Sequence, residues 1–248
     1  DIASLANILR VQDINGFFSE VMRLPSSSNV NVLVRKTDKI PSEIINIIKQ
    51  HQNSILEIIH EAKENSLSKD IKGGLQNEAT IFEKLLEYQE RLMVLCPRRY
   101  GPWSIEEINK EILGIRIEEG FHGWPEGTPV ICGENQPELN LSNGDIGILI
   151  GNRDGKRLIF KSDSTTSGSN QHFIHPARVR KLEPAYALTI HKSQGSESNH
   201  VICLWPEPIN NKLDNKIQNK NQEYEKKLIY TAITRARTKL DLTLSIEK

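Results

Sequence analysis

Thr189 to Ser198 reads TIHKSQGSES and lies between two short apolar runs, Ala185 to Leu188 and Val201 to Leu204. A polar loop at the end of a buried strand is where α/β sheets meet their ligands. Gly195 permits close backbone approach to a phosphate or a sugar. Glu197 can accept hydrogen bonds from ribose hydroxyls, and Thr189, His191 and Lys192 can reach a nucleic-acid backbone. The same string also suits a polar surface turn whose histidine is satisfied internally.

A second stretch, EYEKKLIYTAITRAR, has helical spacing. Leu228, Ile229, Ala232, Ile233 and Ala236 form one apolar stripe, with Thr231 and Arg235 at its edge. At about 100° per residue, Arg237 falls roughly 160° from Arg235, so the two cannot share a task. Arg235 is placed to project into a cleft; Arg237 is placed for solvent or a neighbouring loop. Both also suit the cationic end of a helix, favoured by its dipole.

These residues need elements to hold them. The 248 residues suffice for one large domain or two small ones. Thirty-two basic residues balance 32 acidic ones, so any nucleic-acid contact must be a local patch. No apolar run approaches the roughly 20 residues of a membrane span, and DIASLANILR has no signal-peptide character. Cys96, Cys132 and Cys203 are isolated. They read as buried thiols of a cytoplasmic protein, not as a disulfide framework or a metal site.

The chain divides into three stretches. To about Gly114 it is mostly helical. PSEIINIIKQHQNSILEIIHEAKEN places Ile44, Ile45, Ile48, Ile55 and Ile59 near one face. A loop, SLSKDIKGG, precedes a second helix, NEATIFEKLLEYQERL, with Ile81, Leu85 and Leu92 as core candidates. MVLC is a short buried strand, and Ser104 with Glu107 forms a capping box for SIEEINKEI. From about Trp124 to Glu183, short runs (PVIC, DIGILI, RLIF) alternate with turns at Asn143 to Asp145, Asn152 to Gly155 and SDSTTSGSN, which predicts a small β-barrel. The last stretch has strand, loop and strand, a charged loop NNKLDNKIQNKNQ, a helix, and a strand with Leu240, Leu242, Leu244 and Ile246 on one face.

Together, AYALTIHKSQGSE resembles motif V and LIYTAITRAR motif VI of superfamily 1 helicases, in the same order and setting. The specific likeness is to the RecD-like helicases, the exodeoxyribonuclease V alpha subunit and its relatives. LCPRRYGPWSIEEINKEI resembles that family's segment with an arginine before Gly-Pro and an asparagine on the next helix, here Arg99 and Asn109. GWPEGTPVICGENQPELNLSNGDIGILI resembles the entry to its inserted SH3-like domain, and HPARVRKLEP the exit. The resemblance runs from about Asp1 to Leu244 and is strongest from Leu95 onward.

The resemblance implies an α/β fold: a second RecA-like, P-loop-NTPase-type helicase domain in two parts, 1–120 and 185–248, with an SH3-like small β-barrel inserted at 121–184. It implies Arg235 as the catalytic arginine finger on the γ-phosphate. Gly195 and Glu197 would lie at the nucleotide, and Arg99, Asn109, Thr189, His191 and Lys192 on single-stranded DNA. Movement along the strand would run 5′ to 3′.

One element is missing: no Walker A loop, G-x-x-x-x-G-K-[ST], occurs, since GNRDGKR has the wrong spacing and no Ser/Thr after its lysine. No carboxylate pair ends an apolar strand as a Walker B would. The chain therefore reads as the C-terminal part of a longer helicase, with ATP and Mg2+ held in the full-length parent and none by this part alone. Expected partners are single-stranded DNA, the parent's N-terminal RecA-like domain and, in the complex-forming branch, the other exodeoxyribonuclease V subunits; no membrane is expected. The alternatives are a non-enzymatic nucleic-acid-binding module and an assembly module.

Overall fold

A computed structural model describes residues 2–12, 14–23, 29–67, 74–151, 155–161, 171–206 and 215–245. Two compact units emerge: 1–44, 91–108 and 187–248 in one, 45–90 and 109–186 in the other.

The first unit is built on five parallel strands in the order β1-β10-β9-β2-β8: β1 is Val30–Arg35, β2 Leu92–Cys96, β8 Leu188–Thr189, β9 Ser198–Trp205 and β10 Ala236–Ser245. Helices α1 (Ile2–Val11), α2 (Ile14–Val21) and α6 (Asn215–Ile233) belong to this unit, and α1 packs on both α6 and β10. Parallel strands are covered on both faces, and β9 shows it as a continuous apolar run, Val201 to Trp205. Val201 to Leu204 and Leu240 to Leu244 are all buried. The expected one-faced alternation of β10 is therefore corrected: Asp241 and Thr243 lie inside as well, 4% and 0% exposed. Ile246 lies outside the described residues.

β1 was not expected in a stretch read as mostly helical. Its alternating valines, Val30, Val32 and Val34, pair in register with Leu240, Leu242 and Leu244. The buried strand expected at Met93 to Cys96 is present as β2, and it takes Leu92 out of the preceding helix. Cys96, Cys132 and Cys203 are all fully buried free thiols. Burial pushes the Cys203 thiol up to about 12, which keeps it protonated and inert.

In the second unit, α3 (Ser42–Leu67) and α4 (Gly74–Gln89) accompany an antiparallel sheet, order β6-β5-β4-β3-β7. Its strands are β3 Pro129–Cys132, β4 Ile146–Ile150, β5 Arg157–Lys161, β6 Gln171–Ile174 and β7 Leu182–Pro184. The helices fall with these strands because Ile55, Ile59, Leu85 and Leu86 share a core with Ile148 and Ile159. The Asn-Gly-Asp turn forms with Gly144 at φ +104, a left-handed position that favours glycine. Lys156 is 7% exposed, and its ammonium donates to the carbonyls of Phe121, His122 and Trp124 at 2.8, 2.7 and 2.7 Å. The expected loops SLSKDIKGG, Asn152 to Gly155 and SDSTTSGSN lie mostly outside the described residues. No helix among the described residues is long and apolar enough to cross a membrane.

Helix α5 (Ile105–Leu113) starts as expected, with a variation. Ser104 Oγ accepts from the Glu107 N–H at 3.3 Å, but Glu107 reaches back one residue further, to the Trp103 N–H at 2.6 Å. Trp103 needs that anchor: it is fully buried at φ +55, and its indole donates to the Lys39 carbonyl at 3.0 Å.

Candidate functional site

The register of the parallel sheet sorts the candidate residues onto two edges. Thr189 pairs with Cys96, the last residue of β2. Everything just beyond these two residues therefore lies at the carboxyl edge, including Arg98, Arg99, Tyr100, His191 and Lys192. Ser198 pairs with Ala236 at the opposite, amino edge. There Gly195 and Glu197 arrive at β9 while Arg235 and Arg237 flank the start of β10. The sequence reading had put the whole loop at one strand end; the structure splits it between two.

At the carboxyl edge, Thr189 caps a 3-10 turn, Ile190–Ser193, by accepting from the Lys192 N–H at 3.3 Å. Ser193 is fully buried and donates to the Ile190 carbonyl at 2.7 Å, which fixes the turn to the core. His191 is exposed, and its Nε2 lies 3.1 Å from the hydroxyl of Tyr224 on α6, with the rings 27° from coplanar. Arg99 is exposed and donates from Nε to the Tyr100 hydroxyl at 3.1 Å. Asn109 is different in kind. It is 5% exposed, its amide donates to the Pro184 carbonyl at 3.1 Å, and its Oδ1 is buried without a hydrogen-bond partner.

At the amino edge, the expected helix through Arg237 is corrected. α6 ends at Ile233, and Thr234 and Arg235 form a turn before β10. Two captures end the helix. Thr234 Oγ1 donates back to the Thr231 carbonyl at 3.0 Å, and the Arg235 carbonyl accepts from the Ser198 N–H at 2.9 Å. The helix also begins earlier than expected: Asn215 to Gln222, read as loop, are helical. Polar residues on every face give that segment no period to read.

Arg235 is half-buried and held at three points: Nε to the Thr231 carbonyl at 3.2 Å, Nη1 to the Ser196 carbonyl at 3.2 Å, and Nη2 to Thr234 Oγ1 at 3.3 Å. Arg237 is exposed and pairs with Glu197 at 3.1 Å. The difference in environment expected from helical phase is thus present, produced by a turn and a strand instead. Gly195 has φ +87, and nothing lies within 4 Å of where a Cβ would stand. An open cleft of about 580 Å³ adjoins this edge, lined in part by Asn7, Arg10, Asn29, Thr234, Ala236 and Arg237.

Sequence reasoning missed one charged group behind this edge. Asp241 Oδ2 lies 2.7 Å from His200 Nε2 and 3.4 Å from Lys239 Nζ, with its side chain 5% exposed. Burial alone would raise its pKa; the His200 hydrogen bond and the nearby Lys239 outweigh that and hold it below the ordinary value. Its position inside an apolar run, LDLTL, was the available signal.

Residues 184–243 match the family model of the UvrD-like helicase C-terminal domain. The RecBCD enzyme subunit RecD of Haemophilus influenzae is 27% identical over 222 residues, 82% of this chain and 31% of that protein. That of Mycolicibacterium smegmatis is 31% identical over 151 residues, 59% of this chain and 24% of that protein. The ATP-dependent RecD2 DNA helicase of Deinococcus radiodurans is 30% identical over 154 residues, 59% of this chain and 19% of that protein. The chain thus spans less than a third of each of these relatives. Among solved structures, a Bacteroides Pif1 helicase in complex with ADP-AlF3 and ssDNA matches at 16% identity and a TM-score of 0.37, covering 84% of this chain and 50% of that one. The chain therefore resembles RecD-like superfamily 1 helicases in sequence and carries the UvrD-like C-terminal pattern within its parallel sheet.

Proposed function

We propose that this chain, similar to RecD proteins along most of its length, is the second motor half of an ATP-dependent DNA helicase. The observation that carries the reading is a single connection, Thr189 to Ser198, which joins a cationic carboxyl edge to an arginine-bearing amino edge inside the region that matches the helicase family. In this reading the parallel-sheet unit is the RecA-like domain. The antiparallel strands form an SH3-like barrel inserted at about 121–184.

Arg235 is the γ-phosphate contact. Its guanidinium must exchange the Ser196 carbonyl for phosphate oxygens, and the bond from Nε to the Thr231 carbonyl can persist as its pivot. An arginine so placed stabilises charge that develops during phosphoryl transfer. Gly195 lets the loop backbone approach the nucleotide, and Glu197, once released by Arg237, accepts from the ribose. The phosphate cradle and Mg2+ site belong to residues outside these 248, in an N-terminal RecA-like domain. His191, Lys192, Arg99 and Thr189 hold the single strand, chiefly by its phosphates. Asn109 serves the fold. Closure and reopening over ATP step the strand, 5′ to 3′ as in the resembled family, with the other exodeoxyribonuclease V subunits as partners in the complex-forming branch.

The test is steady-state ATP turnover and strand displacement by the intact protein with saturating single-stranded DNA. The reading requires DNA-stimulated turnover that collapses in Arg235→Ala. Turnover indifferent to that substitution would sink the assignment, and DNA binding without any turnover would favour the non-enzymatic module.

A further inference from the structure

We propose that Thr234 is the positioning residue of Arg235: its hydroxyl fixes the plane of the guanidinium and so leaves the outer edge of that group to the γ-phosphate. The inference rests on the helicase reading and deepens it, by adding a residue that acts on the nucleotide only through the arginine.

The turn that ends α6 creates the contact. Beyond Ile233 the backbone leaves the helical path, and the Arg235 N–H bonds to the Ala232 carbonyl at 3.2 Å. The Thr231 carbonyl, one of the acceptors that every helix end leaves over, is taken up by side chains. Thr234 Oγ1 donates to it at 3.0 Å and Arg235 Nε at 3.2 Å. Arg235 Nη2 in turn donates to Thr234 Oγ1 at 3.3 Å. Carbonyl, hydroxyl and guanidinium edge thus close a ring. The roles within it are forced, because a guanidinium can only donate and the hydroxyl has a single proton, spent on the carbonyl. The Thr231 hydroxyl turns the other way, back along the helix to the Lys227 carbonyl at 2.9 Å.

A guanidinium is planar, with its N–H donors in a fixed fork. A bond at Nε alone holds one point, about which the plane can still swing. A second bond at Nη2, on the same edge, holds the plane. The outer edge then carries Nη1, whose present partner is the Ser196 carbonyl at 3.2 Å, and the other N–H of Nη2. Two parallel N–H groups on one edge are what a pair of phosphate oxygens requires. The bond that must break and the bonds that must hold therefore lie on different edges, and phosphate can displace Ser196 without unfastening the arginine. Ending the helix does not call for this arrangement. The bond from Thr234 Oγ1 to the Thr231 carbonyl would do that whether or not the same oxygen also received Nη2.

The test is steady-state ATP turnover by the intact protein with saturating single-stranded DNA. Thr234→Val keeps the shape and removes the hydroxyl; it should lower kcat about 10- to 100-fold, the scale of a misplacement of about 1 Å. KM for ATP should stay within about 2-fold, since the arginine acts on the transition state. Thr234→Ala should behave alike, so the outcome does not hang on the folding of one variant. Thr234→Ser returns the hydroxyl and should restore kcat to within about 3-fold of the parent. ADP affinity should be the same in Thr234→Val as in the parent, while affinity for ADP with aluminium fluoride, which stands in for the phosphoryl group in transfer, should fall about 10- to 100-fold. In an Arg235→Ala background, Thr234→Val should change neither kcat nor that affinity, because nothing is left to position. Parent-level kcat in Thr234→Val, an equal loss in Thr234→Ser, or a further loss in the Arg235→Ala background overturns the positioning role and leaves the helicase reading intact. A parent protein without DNA-stimulated turnover overturns both.

Discussion

The two edges of the parallel sheet handle charge in opposite ways. At the amino edge and just behind it the charged groups already have partners: Arg235 makes three hydrogen bonds, Arg237 pairs with Glu197, and Asp241 is buried against His200. At the carboxyl edge His191, Arg99, Tyr100 and Tyr224 are exposed, with His191 on the Tyr224 hydroxyl and Arg99 on that of Tyr100. A ligand at the first edge must exchange internal bonds for its own, so it changes the protein. A ligand at the second adds to an open surface. The first arrangement suits a trigger and the second a grip that must hold and release many times.

Substitutions can break that contrast, and the largest effect belongs to the trigger. In the intact protein, Arg235→Ala should lower DNA-stimulated ATP turnover by about 10³-fold or more while DNA affinity stays nearly unchanged. Arg235→Lys should recover little of it, because a point charge cannot keep the Thr231 pivot and a bidentate phosphate contact together.

Next comes the buried pair. His200→Ala leaves Asp241 with Lys239 as its only charged partner and should cost about 1–3 kcal/mol in urea-induced unfolding. Since Asp241 is held below the ordinary aspartate value near 3.8, its contribution is complete above about pH 5 and is lost as the pH falls through the folded value. The penalty of His200→Ala should therefore shrink in acid; a penalty that grows there would show that the pair is not the stabilising element.

At the grip, Lys192→Ala and Arg99→Ala should each reduce the salt dependence of DNA binding by about one phosphate contact, equally for all sequences. The smallest effect is expected of Arg237→Ala, whose exposed pair with Glu197 is worth about 0–1 kcal/mol. If Arg237→Ala proves the dead enzyme instead, the trigger has been assigned to the wrong arginine.

Much of the fold is legible in the sequence. Apolar runs located β2 and β9, alternating leucines located β10, and the isoleucine spacing located α3, because burial imposes a period on sequence. What escaped was set by tertiary pairing. VNVLVR looks like a short interruption among helices until β10 is there to pair with it. The helix expected through Arg237 stops at Ile233 because β9 captures the Arg235 carbonyl, a bond that local spacing cannot reveal. The contrast between the two arginines was legible, but the reason first assigned to it was not the one the structure supplies. The division of the candidate residues between two edges was hidden as well, since only strand register carries it.

That register leaves the motif very little chain. Thr189 is level with Cys96 at one end of the sheet, while Ser198 begins at the other, and β2 lies between their strands. Six residues of strand separate the two levels, about 20 Å at 3.3 Å per residue, with roughly 10 Å of sideways travel across two strand spacings. Ile190 to Glu197 must cover this, and half of them are coiled in a 3-10 turn at about 2 Å per residue. Parallel strands ordinarily allow a dozen or more residues for such a return. A second turn follows at once, with the Ser196 N–H on the Ser193 carbonyl at 3.1 Å, and buried Ser193 anchors the connection midway. Two turns and one anchor therefore take up nearly the whole length between the edges, and few residues are left to absorb a shift of His191 before it reaches Ser196 and Glu197. A single inserted glycine would add slack without removing one functional side chain.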